Sequence, residues 1–358
     1  MHACRIPWNR RLAPYSLPSN HEICIVLLIP TSRISVDLES LLLGPEYTYR
    51  VQISTINRDE DSGVRTTAFN VSSTLKCRPR ILDTLSCRFE VAKMAVFEDG
   101  LVDLGQDIVE DLWVDEEPFE IKFQRNGISK LIVTRSMEPW TIDMIRAIVN
   151  QLNVGVDLRN KPDGIYIEKE RSFLGECQTK IKLSHRISQD SWKDDKLEIV
   201  PMPGIRKTSG EILRIDKTRD LNDCMPKEDY FFASKSRYPL LHRDTTTSIV
   251  SERFSFSIFI RFIFSRITRL QKSSLSRIVV SDSNFTSYTA NEIVVSSKDR
   301  TKNFTLFENI TLNLETVTAA KNEIPQIPDP TFVSFFVHGR THDDEEESRR
   351  RMESRRDR

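Results

Sequence analysis

Apolar residues recur at Ile142, Ile145, Val149 and Leu152 in the stretch PWTIDMIRAIVNQLNV, with Trp140, Met144, Ala147 and Ile148 beside them. That i, i+3, i+4 spacing predicts an α-helix of roughly three to four turns. Pro139 suits a helix entrance, and Asp143 is expected in the first turn, at the positive end of the dipole. Apolar side chains cover most of the circumference, so the helix is expected to be buried on several sides. The flanking segments carry a different period. EYTYRVQIST alternates Tyr47, Tyr49, Val51 and Ile53 with Thr48, Arg50, Gln52 and Ser54, the pattern of a half-buried strand. Val64 to Lys76, Arg88 to Phe97 (through Phe89, Val91, Lys93 and Ala95), Ile165 to Glu170, Glu176 to Arg186 and Glu211 to Asp216 read as further strands. A sheet is therefore expected to wrap the helix.

PFEIKFQRNGISKLIVT, residues 118–134, reads as a hairpin. A two-residue Asn126-Gly127 turn would set Phe123 against Lys130. A three-residue Arg125-Asn126-Gly127 loop, with Gly127 left-handed in a bulge, instead pairs Ile121 with Leu131 and Phe119 with Val133. The second register places apolar side chains together and is preferred. Glu98 to Glu117 reads as an acidic loop anchored by Trp113, and Lys161-Pro162-Asp163-Gly164 as a turn. Residues 1–44 carry no sustained period and read as irregular. Residues 319–358 end in the charge blocks of RTHDDEEESRRRMESRRDR and read as a disordered tail.

Fifty-two basic residues balance 52 acidic ones, which argues against a nucleic-acid partner. The six histidines form no HExxH pair, and no GxSxG elbow, P-loop or GxGxxG loop occurs, so no enzymatic activity, cofactor or metal site is expected. The six cysteines never form a CxxC pair. Cys177 and Cys224 bracket the last predicted strands. A bridge between them would close a loop of roughly 47 residues, worth on the order of 4 kcal/mol; the alternative is two buried thiols. Sequons at Asn70, Asn284, Asn303 and Asn309 favour a glycosylated, secreted protein. The one leader-like run, Ile23 to Ile29, is broken by Cys24 and closed by Pro30, which makes a poor signal peptide. No stretch reaches the roughly 18 apolar residues of a transmembrane helix.

PFEIKFQRNGISKLIV, WTIDMIRAIVNQL, LGECQT and IDKTRDLNDC, in that order, resemble the amino-terminal domain of insect vitellogenins, and EYTYRV resembles the family's first mature strand. This places the chain with the large lipid transfer proteins, whose distant members include apolipoprotein B and microsomal triglyceride transfer protein. The resemblance runs from about Pro45 to Val317 and implies a mainly β fold, a β-barrel or curled antiparallel sheet around one central helix. It implies a domain over residues 45–318, and a bridge between Cys177 and Cys224. It further implies a secreted lipid transporter and yolk precursor, a nutrient reservoir taken up through the lipoprotein-receptor family.

In vitellogenins the segment matching LRIDKTRDLNDC is implicated in receptor binding. Lys217 and Arg219 are the expected contacts, because receptor modules grip an exposed ligand lysine in a calcium-ordered acidic cage. The competing reading of these two residues is a solvated charged turn. Residues 252–272, ERFSFSIFIRFIFSRITRLQK, have no family counterpart and read as a lipid-contacting strand, a buried strand or retained non-coding sequence, the last being preferred. With no counterpart to the family's helical layer and further sheets, the chain is expected to lack the lipid cavity and to act as an interaction module. The alternative is a secreted module that recognises cell or microbial surfaces without lipid cargo, with peripheral membrane contact a further option.

Overall fold

A computed structural model of the chain describes residues 44–59, 65–80, 83–98, 108–112, 117–187, 203–208, 210–225, 267–297 and 303–336. The elements are β1 (Pro45–Asp59), β2 (Arg65–Pro79), β3 (Thr84–Glu98), β4 (Ile108–Leu112), β5 (Phe119–Gln124) and β6 (Gly127–Thr134). The helix α1 (Pro139–Val149) follows and ends in a 3-10 turn at Asn150–Leu152. Then come β7 (Gly164–Ser172), β8 (Gly175–Ile187), β9 (Glu211–Asp220), β10 (Ile267–Val280), β11 (Phe285–Ser297), β12 (Asn303–Ala319) and β13 (Pro330–Ser334). Among the described residues these strands form one antiparallel sheet in the order β13-β6-β5-β3-β2-β1-β12-β11-β10-β9-β8-β7, with β4 paired to β3.

The sheet consists of two sequential meanders, β1 to β6 and β7 to β12, joined where β1 pairs with β12. The Ala320 N–H donates to Gly44 O at 3.0 Å beyond the end of that seam. A meander whose ends pair is a barrel provided its middle strands also pair, and β6 and β7 do not. Flat, they would lie ten strand intervals apart, about 48 Å at ~4.8 Å each. One buried side chain nonetheless touches both. Asn153 Oδ1 accepts the Ile128 N–H of β6 at 3.0 Å, and its Nδ2 donates to Arg171 O of β7 at 2.6 Å. The expected barrel is thus corrected to a curled sheet that does not close, with β13 and β7 as its edges and Asn153, on the connection that carries α1, bridging β6 to β7.

The helix lies on the concave side. Met144, Ile145, Ala147, Ile148, Val149 and Leu152 join one core with Val51, Ile53, Leu75, Phe119, Leu131, Ile215, Ile310 and Leu312 from across the sheet. Its polar residues are buried too. Arg146 donates to Ser334 O of β13 at 2.9 Å and to Asp143 at 2.7 Å. Asp143 therefore falls past the first turn, which begins at Pro139, and pairs within the helix instead of meeting the dipole.

The Tyr47, Tyr49, Val51, Ile53 alternation is the interior face of β1. In the hairpin Ile121 faces Leu131, but the irregularity lies between Lys122 and Phe123, with Arg125-Asn126 as the turn. The alternation proposed from Phe89 is broken by a bulge opposite Ser72/Thr74, so Ala92 is buried and Lys93 exposed. Three further expectations change. The acidic stretch contains β4, the stretch read as a tail contains β13, and Ile267 to Lys272 of the atypical segment begin β10. Residues 1–43, 252–266 and 337–358 lie outside the described residues.

Gly127 has φ +133°, and a Cβ there would collide with Asn153 Oδ1. Gly127→Ala is therefore expected to destabilise the fold by about 1–3 kcal/mol. Asn153→Ala, which strands the Ile128 N–H and Arg171 carbonyl, should cost about 3 kcal/mol. Urea unfolding of both variants checks this, and wild-type midpoints would refute the bridging role of Asn153.

Candidate functional site

The interior parity of β9 runs Leu213, Ile215, Lys217, Arg219, so the strand carries two cations into the concave face after two aliphatic residues. The neighbouring strands change character at the same level. β10 gives Ser274 and Ser276, β11 gives Ser287, Thr289 and Asn291, β8 gives Thr179 and β7 gives Glu170, all buried. Glu170, with no exposed surface, is the centre of this belt. It accepts from Lys217 Nζ at 2.8 Å, from Arg219 through Nε at 2.5 Å and Nη2 at 2.7 Å, and from Thr179 Oγ1 at 2.9 Å. Lys217 Nζ also donates to the carbonyls of Asn153 at 3.0 Å and Val154 at 2.7 Å, so all three ammonium protons have acceptors.

The chain of bonds continues across the sheet. Arg219 Nη1 donates to Ser274 Oγ at 3.1 Å and to Ser276 Oγ at 2.8 Å. Ser276 and Thr289 hydroxyls lie 3.0 Å apart, and Gln151 Oε1 accepts from Thr289 at 3.1 Å and from Ser287 at 2.9 Å. β7, β9, β10, β11 and the turn after α1 are thereby tied into one polar layer. Further along β11, Asn291 donates to the buried Glu308 of β12 at 3.0 Å.

Burial alone would raise the Glu170 carboxyl, but Arg219 and then Lys217 overcome this and hold it down at about 2. Burial pulls the Lys217 ammonium below its ordinary value, and Glu170 opposes that. The three acceptors around Nζ suit only the protonated amine, so the layer is built for ionised partners.

This geometry corrects the expected surface role of Lys217 and Arg219. They are 1% and 4% exposed, and neither presents a cation to solvent. The expectation treated Asp216 as the end of the strand, whereas β9 runs to Asp220. Period-two alternation from Leu213 through Arg219 was the available signal. Glu170 was not singled out, since its place opposite two strand-borne cations depends on the β7–β8–β9 pairing.

Cys177 and Cys224 are joined, as are Cys77 and Cys87, which face each other across β2 and β3. Of the sequon asparagines, Asn70 and Asn284 are exposed and Asn309 is half-buried with Oδ1 accepting from Tyr288 at 3.1 Å; Asn303 opens β12. Among the described residues, no group of three or more His, Cys, Asp or Glu side chains is placed to hold a metal ion. No helix among them is long and apolar enough to cross a membrane.

Fold and interior together define a curled antiparallel sheet domain filled by a helix and a buried ionic layer. The chain belongs to the vitellogenin family: the model of the vitellogenin N-terminal domain matches residues 43–320. It is 23% identical over 233 residues to Vitellogenin-1 of Solenopsis invicta, across 58% of this chain and 14% of that protein. Against Vitellogenin-A1 of Aedes aegypti it is 23% identical over 223 residues, across 55% of this chain and 10% of the relative. The matched regions thus span a small part of either relative's length. A solved structure of lipovitellin, reported for its lipid–protein interactions, shares the fold with a TM-score of 0.52 at 13% identity. That likeness covers 80% of this chain and 26% of the lipovitellin chain.

Glu170→Gln removes the anion from two buried cations and should lower stability at neutral pH by about 3–5 kcal/mol. Because the folded carboxyl lies near 2 against an ordinary 4.5, its contribution is complete above about pH 4.5 and fades as pH falls towards 2. The gap between wild type and variant in denaturant titrations should therefore narrow over that window. A pH-independent gap would refute the assignment.

Proposed function

We propose that this chain is the amino-terminal interaction module of an extracellular, vitellogenin-type lipid transporter and yolk precursor. The observation that carries this reading is the filled concave face. Ile145, Ile148, Val149 and Leu152 pack in one core with the inward apolar side chains of the sheet, and the ionic layer is buried in the same concave face. Bulk lipid needs an open apolar cavity, so lipid storage falls to other parts of such a carrier. Two disulfides suit an oxidising, extracellular setting, and exposed Asn70 and Asn284 suit glycosylation.

Receptor recognition in this reading uses lysines on the convex face. Lys180 and Lys182 are exposed on β8, in register with the exposed Ile167 and Ile165 of the edge strand β7. A lysine beside an exposed aliphatic side chain offers an acidic receptor cage both a charge and an apolar stem contact. Lys217 and Arg219 support that surface from beneath by holding β7 to β9.

Lys180→Ala combined with Lys182→Ala should weaken binding to a calcium-loaded lipoprotein-receptor module at least about tenfold, or ~1.4 kcal/mol, with an unchanged melting profile. Unaltered affinity in surface plasmon resonance would sink the receptor surface. Lipid extraction from the purified chain tests the filled interior, and many phospholipids per chain would overturn it.

A further inference from the structure

β12 and β13 are consecutive in sequence yet separated in the sheet by β1, β2, β3, β5 and β6. The connection between them begins as a strap on the convex side, opposite the helix. It roofs a cleft of about 480 Å³ over the ends of β1, β2, β3 and β12. That volume is large enough to admit a small molecule.

Four cations line the cleft: Lys76 and Arg78 from β2, Arg88 from β3 and Lys321 from the strap. Two carboxylates, Glu46 and Glu323, share the wall. Arg78 is only 7% exposed although its strand position faces outward, because the strap covers it and Asn322 O accepts from its Nη1. Glu90, just outside, accepts from Arg88 at 3.0 Å and pairs with Lys76 at 2.9 Å, while Glu46 lies 3.9 Å from Lys76. Burial draws the Arg78 guanidinium below its ordinary value, with Glu46 opposing and Arg88 adding to the effect. A buried arginine beside a second arginine and a strap lysine offers an oxyanion several convergent donors, and the four cations outnumber Glu46, Glu90 and Glu323.

We propose that this cleft binds a phosphate ester, with the phosphate between Arg78, Arg88 and Lys321 and a hydroxyl or amine of the ligand against Glu46 or Glu323. The arginines supply planar donor pairs matched to phosphate oxygens, and the carboxylates select against a bare anion. The same chemistry is offered by a soluble phosphate ester and by a phospholipid headgroup. The assignment is independent of the receptor reading, which concerns the other half of the sheet.

The test is titration of the full chain with phosphoethanolamine by calorimetry, together with flotation on phosphatidylcholine vesicles with and without phosphatidylethanolamine. Wild type should bind, and Arg88→Gln and Lys321→Gln should each weaken binding at least about tenfold, or ~1.4 kcal/mol, while keeping the wild-type circular dichroism. Half-buried Arg88 and exposed Lys321 carry the test should Arg78→Gln not fold. Binding to the soluble ester alone assigns a free metabolite, whereas flotation lost in the same variants assigns a headgroup. No binding of either probe, or binding that both variants retain, overturns the proposal.

Discussion

Asn153 holds together parts of the molecule that no ladder joins. Its side chain spans the gap between β6 and β7, and its carbonyl accepts a proton from Lys217 of β9. The sheet can curl round a helix and remain open only if something satisfies the backbone groups at the opening. The short amide of Asn153 does so for the Ile128 N–H and the Arg171 carbonyl, and Gly127 leaves room for it. The ionic layer depends on the same arrangement. Glu170 sits next to Arg171, and Lys217 reads the carbonyls of Asn153 and Val154, so the seam and the charges are positioned by one stretch of chain.

The helix and most strands of the first meander were legible because they obey a single period. Tyr47 to Ile53 alternate with no exception, and Ile145, Val149 and Leu152 keep the helical spacing within the core. Legibility failed where tertiary pairing overrides local pattern. β4 lies in a sequence whose carboxylates read as loop, and β13 lies beyond a proline-rich strap. Lys217 and Arg219 were misplaced for a different reason. A cation on a strand is normally taken as outward-facing, and only a buried partner such as Glu170, 47 residues away, makes the inward parity tolerable. The cleft beneath the strap was invisible from sequence, since its walls come from four strands and a crossover.

In this member of the family the helix and the ionic layer occupy the concave side of the sheet. A sheet locked from within by a helix and by ionised partners keeps its convex face in a single shape.

The pairing of β1 with β12 also has consequences in time. Each meander can form from neighbours in sequence, but the β1–β12 seam joins Pro45 to Ala319. Closure of so long a loop is slow compared with hairpin formation. During synthesis the first meander waits with β1 as a bare edge until the second has emerged. The nascent domain is thus exposed to mispairing for most of its translation, and the compartment that makes it must shield that edge.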